Sequence, residues 1–135
     1  MKTMVLALAS AALVAGCGSN GREAAAERME ESAEANAATA GPAPVALGLS
    51  EAQLLDADLI GPGNVEIGEV KSLVRSASGA VEGLIVEVED TNPDRFVQIP
   101  LTGLKVVQRG DDRDLSTTMT REQLAALPDV PLPVR

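Results

Sequence analysis

Histidine, tryptophan and tyrosine are absent from this 135-residue chain, and phenylalanine and cysteine occur once each. Without histidine the chain lacks the usual general base near neutral pH and the commonest metal ligand, so neither a Ser-His nor a Cys-His pair can be assembled. A single cysteine, Cys17, closes no intramolecular disulfide. With Phe96 as the one aromatic, a core must be built from Val, Leu and Ile, which suits short aliphatic strands. Positive charge is scarce as well: 11 Lys and Arg stand against 20 Asp and Glu, and the basic residues are scattered from Arg22 to Arg135. A polyanion binder needs a basic footprint that displaces counterions, so nucleic acid is not an expected partner. A Ser-Lys pair would need Lys71 or Lys105 buried beside a serine, and both fall at outward strand positions. No enzyme and no cofactor are expected.

What is present falls into three stretches. Lys2 gives a positive start, and an apolar run from Met4 to Ala15 is broken only by Ser10 before the chain turns polar at Ser19. That run is about 12 residues, roughly 18 Å as a helix, short of the ~20 residues that span a bilayer core, so it reads as an export signal. Its end, Leu13-Val14-Ala15-Gly16-Cys17, resembles the lipobox of bacterial lipoproteins. Small residues before the cysteine let an extended chain lie in a peptidase cleft, and the cysteine sulfur takes diacylglycerol as a thioether. Cleavage between Gly16 and Cys17 then leaves an amino group that can be acylated in turn. At about 0.8 kcal/mol per buried methylene, one acyl chain holds reversibly and two or three hold stably. The resemblance implies a lipid-anchored protein of the bacterial cell envelope, facing the periplasm. Gly18 in place of Asp implies the outer membrane rather than the inner.

Residues 18–49 contain one bulky hydrophobe, Met29, before Val45. Residues 24–38 have good helix propensity but no apolar face to bury, so a solvated, fraying helix or a disordered tether is expected. Gly41-Pro42-Ala43-Pro44 stops it. A flexible coil of this length averages about 30 Å end to end, enough to hold a domain clear of lipid headgroups.

From Ser50 onward apolar residues recur at strand spacing. Ser50 caps one helical turn, and Gly61-Pro62-Gly63-Asn64 turns the chain into a strand carrying Val65, Ile67 and Val70 as far as Val74. A turn at Ser76-Ala77-Ser78-Gly79 leads to a partner strand with Leu84, Val86 and Val88 on one face and Gly83, Ile85, Glu87 and Glu89 on the other. Further strands are expected over residues 95–99 and 104–108, then a polar loop at 111–114. A helix from Thr120 is stopped by Pro128. The expected fold is mainly β: a small antiparallel barrel of SH3-like size with a short C-terminal helix. The expected organisation is a signal peptide over residues 1–16, the lipidated Cys17 and its Ala/Glu/Pro-rich tether over 17–49, and the folded domain over 50–130.

Leu55 to about Gln108 resembles the PRC-barrel domain. The resemblance is carried by Ile67-Gly68-Glu69-Val70 with Leu73, by the Gly79-Ala80-Val81-Glu82-Gly83-Leu84 segment and its continuation to Val88, and by Phe96-Val97-Gln98-Ile99-Pro100 followed by Leu101 and Leu104. It implies a compact barrel used as an adaptor or assembly module, with no shared catalytic residue, and hence a non-enzymatic envelope protein that binds another envelope protein.

The alternative is a ligand or cation site in the acidic loops. Asp90, Asn92 and Asp94 have the spacing that opens a calcium loop, but Arg95 replaces the turning glycine and Leu101 the closing glutamate, which favours a β-turn. Asp111, Asp112 and Asp114 enclose Arg113, which favours a solvated loop. Glu87 and Glu89 share a strand face and read as the barrel's wet exterior.

Overall fold

The computed structural model describes residues 19–132. The signal-peptide residues Val14, Ala15 and Gly16, and Cys17, lie outside the described residues. A helix α1 (Ser19–Ala40) and a short helix α2 (Glu51–Leu55) precede six strands, β1 (Asp58–Gly61), β2 (Val65–Arg75), β3 (Val81–Val88), β4 (Arg95–Pro100), β5 (Lys105–Arg109) and β6 (Asp112–Ser116), and a final helix α3 (Arg121–Ala125) follows. The fold is mainly β, small, and ends in the expected short helix.

The strands form one mixed sheet in the order β4-β3-β2-β1-β6-β5. All neighbours are antiparallel except β1 and β6, which pair in parallel through Leu59 with Leu115 and Ile60 with Ser116. The sheet is rolled but not closed. Six strands laid flat would separate β4 from β5 by about 24 Å, whereas the link from Pro100 to Lys105 reaches at most about 18 Å, so the sheet must curl. Bulges supply the bend. Leu59 pairs with Gly68 but Ile60 with Glu66, leaving Ile67 as an extra residue of β2. Val70 pairs with Val86 but Ser72 with Ile85, leaving Lys71 extra. Each bulge increases local twist, and the second puts Val70 and Leu73, three apart in sequence, on one face.

Inside the roll Leu59, Leu84, Val86, Val97, Leu115 and Leu124 are completely buried, in a cluster built from Val, Leu, Ile and Ala alone. Each fully buried Leu contributes about 1.5–3 kcal/mol. Leu54 of α2 and Leu124 of α3 are completely buried in the same cluster. Both short helices hold themselves with a capping box, Ser50 with Gln53 and Thr120 with Gln123, that satisfies backbone N–H groups left orphaned at a helix start. Phe96 is buried but stands outside this cluster, on the outer face of β4.

Two expectations are corrected. Residues 111–114 are not a polar loop: Gly110 and Asp111 make a two-residue turn, and Asp112 onward is strand β6. The burial of Leu115 and pairing to both β5 and β1 pull this polar segment into the sheet. Residues 19–40 are helical as allowed, but the helix is not a free solvated rod. Ala25, Met29, Ala33 and Ala37 are buried, a stripe with a spacing of four that runs over α2 and the outer face of β2. Alanine has no bulk to register as an apolar face, yet its smallness lets a helix lie close to a sheet.

Candidate functional site

Under α1 the outer face of the sheet carries charge. The Lys71 ammonium lies 3.0 Å from Glu69, 3.5 Å from Glu87 and 3.6 Å from Glu30 of α1. Burial pulls the Lys71 pKa down, but the hydrogen bond to Glu69 and the charges of Glu69, Glu30 and Glu87 outweigh it and hold it above its ordinary value. Lys71 is therefore a cation at neutral pH and not a free base. Burial pushes the Glu87 carboxyl up, and the nearby acids keep it there in spite of Lys71. Lys71 does point outward, as its strand position predicts, but α1 covers it, so this face is half-buried and not the wet exterior the sequence suggests.

The sequence-predicted acidic loops separate in space. Asp90 pairs with Arg121 of α3 at 3.0 Å. The Thr91 hydroxyl donates to the Val88 carbonyl and accepts the Arg95 N–H, which makes residues 90–95 a self-bonded turn. Asp114 leaves the surface: its Oδ1 accepts the Asp58 N–H at 3.1 Å and its Oδ2 lies 3.7 Å from Arg109. It satisfies the backbone where β1 begins.

A different trio converges. Asp58, Glu66 and Glu69 place carboxylate oxygens within 4.8 Å of one another, the one such group of metal-ligating side chains among the described residues. The β1–β2 bulge at Ile67 brings them together, and no sequence spacing announces it. The Asp58 carboxyl is pushed up by burial and by the charges of Asp114 and Glu69, and Glu66 by burial and by Asp58 and Glu89. Carboxyls raised in the folded state take up protons more readily there than in the unfolded chain. The stability they withhold at neutral pH returns as pH falls toward the ordinary carboxylate range. Asp129 works the other way. Burial raises it, but the Arg22 and Phe96 hydrogen bonds hold it below its ordinary 3.8, so its contribution is lost only in stronger acid. The melting temperature should therefore rise as pH falls from neutral into the ordinary carboxylate range and drop again below about 3.8. Circular-dichroism melts of the parent and of Asp58→Asn would check this. A parent that is most stable at pH 7.5 would show that the trio does not destabilise the fold.

The two sheet edges differ. The Phe96 carbonyl accepts the Val130 N–H at 2.7 Å, and the Phe96 N–H donates to the Asp129 carboxylate at 3.1 Å, so residues 129–130 cap β4. Asp129 also pairs with Arg22 of α1 at 2.6 Å, and the Arg22 guanidinium lies 5.9 Å from the Phe96 ring centroid. Strand β5 pairs only with β6 among the described residues, and Val106 on it is 38% exposed. A two-residue turn makes Arg109 and Asp112 the hydrogen-bonded kind of pair, so alternation aims the N–H groups of Val106 and Gln108 away from β6.

No helix among the described residues is long and apolar enough to cross a membrane. Comparison with protein-family models and with curated proteins returns no match.

Proposed function

We propose that this chain is a lipid-anchored, non-enzymatic protein of the bacterial cell envelope, held at Cys17, whose PRC-barrel-like domain is a protein-interaction module facing the periplasm. The β5 edge, unpaired on its outer side among the described residues, carries the interaction half of this reading. An edge strand presents a row of unpaired backbone donors and acceptors, and a partner strand can add to it. The other edge, β4, is capped by the chain's own residues 129–130, which leaves β5 as the side for a partner. The exposed Val106 sits between Lys105 and Arg109, so the surface fits an extended segment that is apolar at its centre and acidic at its ends.

A photoreactive residue at Gln108 should give one discrete protein adduct in intact membranes. Val106→Pro removes an outward N–H without taking a bond from β6. It should cut that adduct about tenfold while the domain still melts cooperatively, since 1.4 kcal/mol is a factor of ten. An adduct indifferent to Val106→Pro would count against strand addition.

A second reading, cation binding, is favoured by the convergence of Asp58, Glu66 and Glu69 rather than by the loops at 90–94 and 111–114. In that reading millimolar calcium at pH 7 supplies the relief that protons supply in acid, and raises the melting temperature by mass action. A melt unmoved by calcium removes it.

A further inference from the structure

We infer that α1 mounts the domain directly on the bilayer and does not act as a spacer, so that one defined end of the domain faces lipid. The inference rests on lipidation at Cys17.

The sheet has two ends. The loop at residues 91–94 lies at one end of β3 and the turn at residues 76–80 at the other. Eight strand residues separate them, about 26 Å. Helix α1, 22 residues and about 33 Å long, runs along this axis. Its first turns are fixed to the loop end, where Arg22 pairs with Asp129 and stacks over Phe96, and a groove of ≈ 850 Å³ is shared by Arg22, Asn92 and Asp94. Its second half lies beside Leu73 and Arg75, toward the turn end, where Ala33 and Asn36 line a cleft with Glu51. The buried stripe Ala25, Met29, Ala33 and Ala37 and the Glu30–Lys71 pair hold it in between.

Cys17 is two residues before Ser19, the first residue of α1, so its Cα is within about 7 Å of the Ser19 Cα whatever the chain does between them. With α1 docked, the reach available to the domain is that short step and not the ~30 Å average of a free coil. The loop end must then sit at the headgroups. Beside the carboxylates of Glu23, Glu27 and Asp94, that end presents apolar residues. Val130, Pro131 and Leu132 lie beside Gly21 and Ala25 at the start of α1, and Pro93 lies across the groove. The turn end, with Ser78 and Gly79 exposed, must point away.

The test uses the processed, lipidated full chain, to which one cysteine is added as Asp94→Cys or Ser78→Cys. The lipid occupies the sulfur of Cys17, so only the added thiol takes a fluorescent donor. The protein is placed in phosphatidylethanolamine/phosphatidylglycerol vesicles that carry an acceptor on their headgroups. Energy transfer from position 94 should exceed that from position 78 several-fold. Ala33→Glu puts a charge into the buried stripe and should collapse the difference while the protein still floats with vesicles. Floating protein with equal transfer from both positions overturns the mount and leaves the anchor intact. Protein that does not float overturns both. The comparison of positions 94 and 78 in the parent stands by itself if Ala33→Glu does not fold.

Discussion

Gly68→Ala is expected to lower the melting temperature of the domain by about 12–24 °C, from an overpacking cost of about 3 kcal/mol and a sensitivity of ~4–8 °C per kcal/mol in a domain of this size. Gly68 lies on β2 between Leu59 of β1 and Val88 of β3, in the interior of the sheet. A methyl there would stand 2.6 Å from Val86 Cγ1, 2.8 Å from the Glu87 carbonyl oxygen and 3.6 Å from Leu124 Cδ2. Val86 is fully buried and β-branched, so its χ1 is stiff and the packed core resists turning it. The carbonyl belongs to the backbone of β3, and moving it opens the ladder that carries Leu84, Val86 and Val88 into the core. Gly21→Ala is the control, because nothing lies within 4 Å of a methyl at that position. Thermal melts followed by circular dichroism compare the two. A Gly68→Ala protein melting within about 2 °C of the parent would show that β3 does not run this close to β2.

Cys17→Ala is expected to abolish lipid labelling completely. It should also leave the chain uncut, because without the thioether the substrate of the lipoprotein peptidase is never formed. The effect is all-or-none for a chemical reason: Cys17 is the chain's one cysteine, and no other side chain supplies a sulfur nucleophile at the end of the apolar run. Growth with a radiolabelled fatty acid, followed by electrophoresis, reads both outcomes. Label retained on the variant would sink the anchoring role of Cys17, and with it the mounting role of α1.

Much of the domain was legible from residue order because alternation is a local property. Leu84, Val86 and Val88 are buried and Ile85 and Glu87 face outward, as a period of two requires. The capping residues Ser50 and Thr120 were readable for the same reason, since a cap concerns only the first turn that follows it. The scarcity of aromatics carried through to the core, which holds no aromatic side chain, while Phe96 serves the opposite face beneath Arg22.

The features that escaped are those made by pairing at a distance. Asp112, Arg113 and Asp114 have the composition of a loop, and they become strand because β1 and β5 flank them and Leu115 enters the core. The trio Asp58, Glu66 and Glu69 exists because one extra residue, Ile67, shifts the β1–β2 register. The contact between Arg22 and Asp129 joins residues 107 apart in the chain, and no local pattern predicts it.

Residue order by itself determined the apolar run ending at Cys17, the excess of acids, the aliphatic strands and the turns between them, because propensity, alternation and turn chemistry act over a few residues. Only the tertiary structure decided that α1 lies on the sheet, that β4 is capped while β5 has no second neighbour among the described residues, and that three carboxylates meet. Each of those depends on which surfaces a rolled sheet leaves uncovered. An alanine stripe becomes a packing face only when a flat enough surface is brought against it.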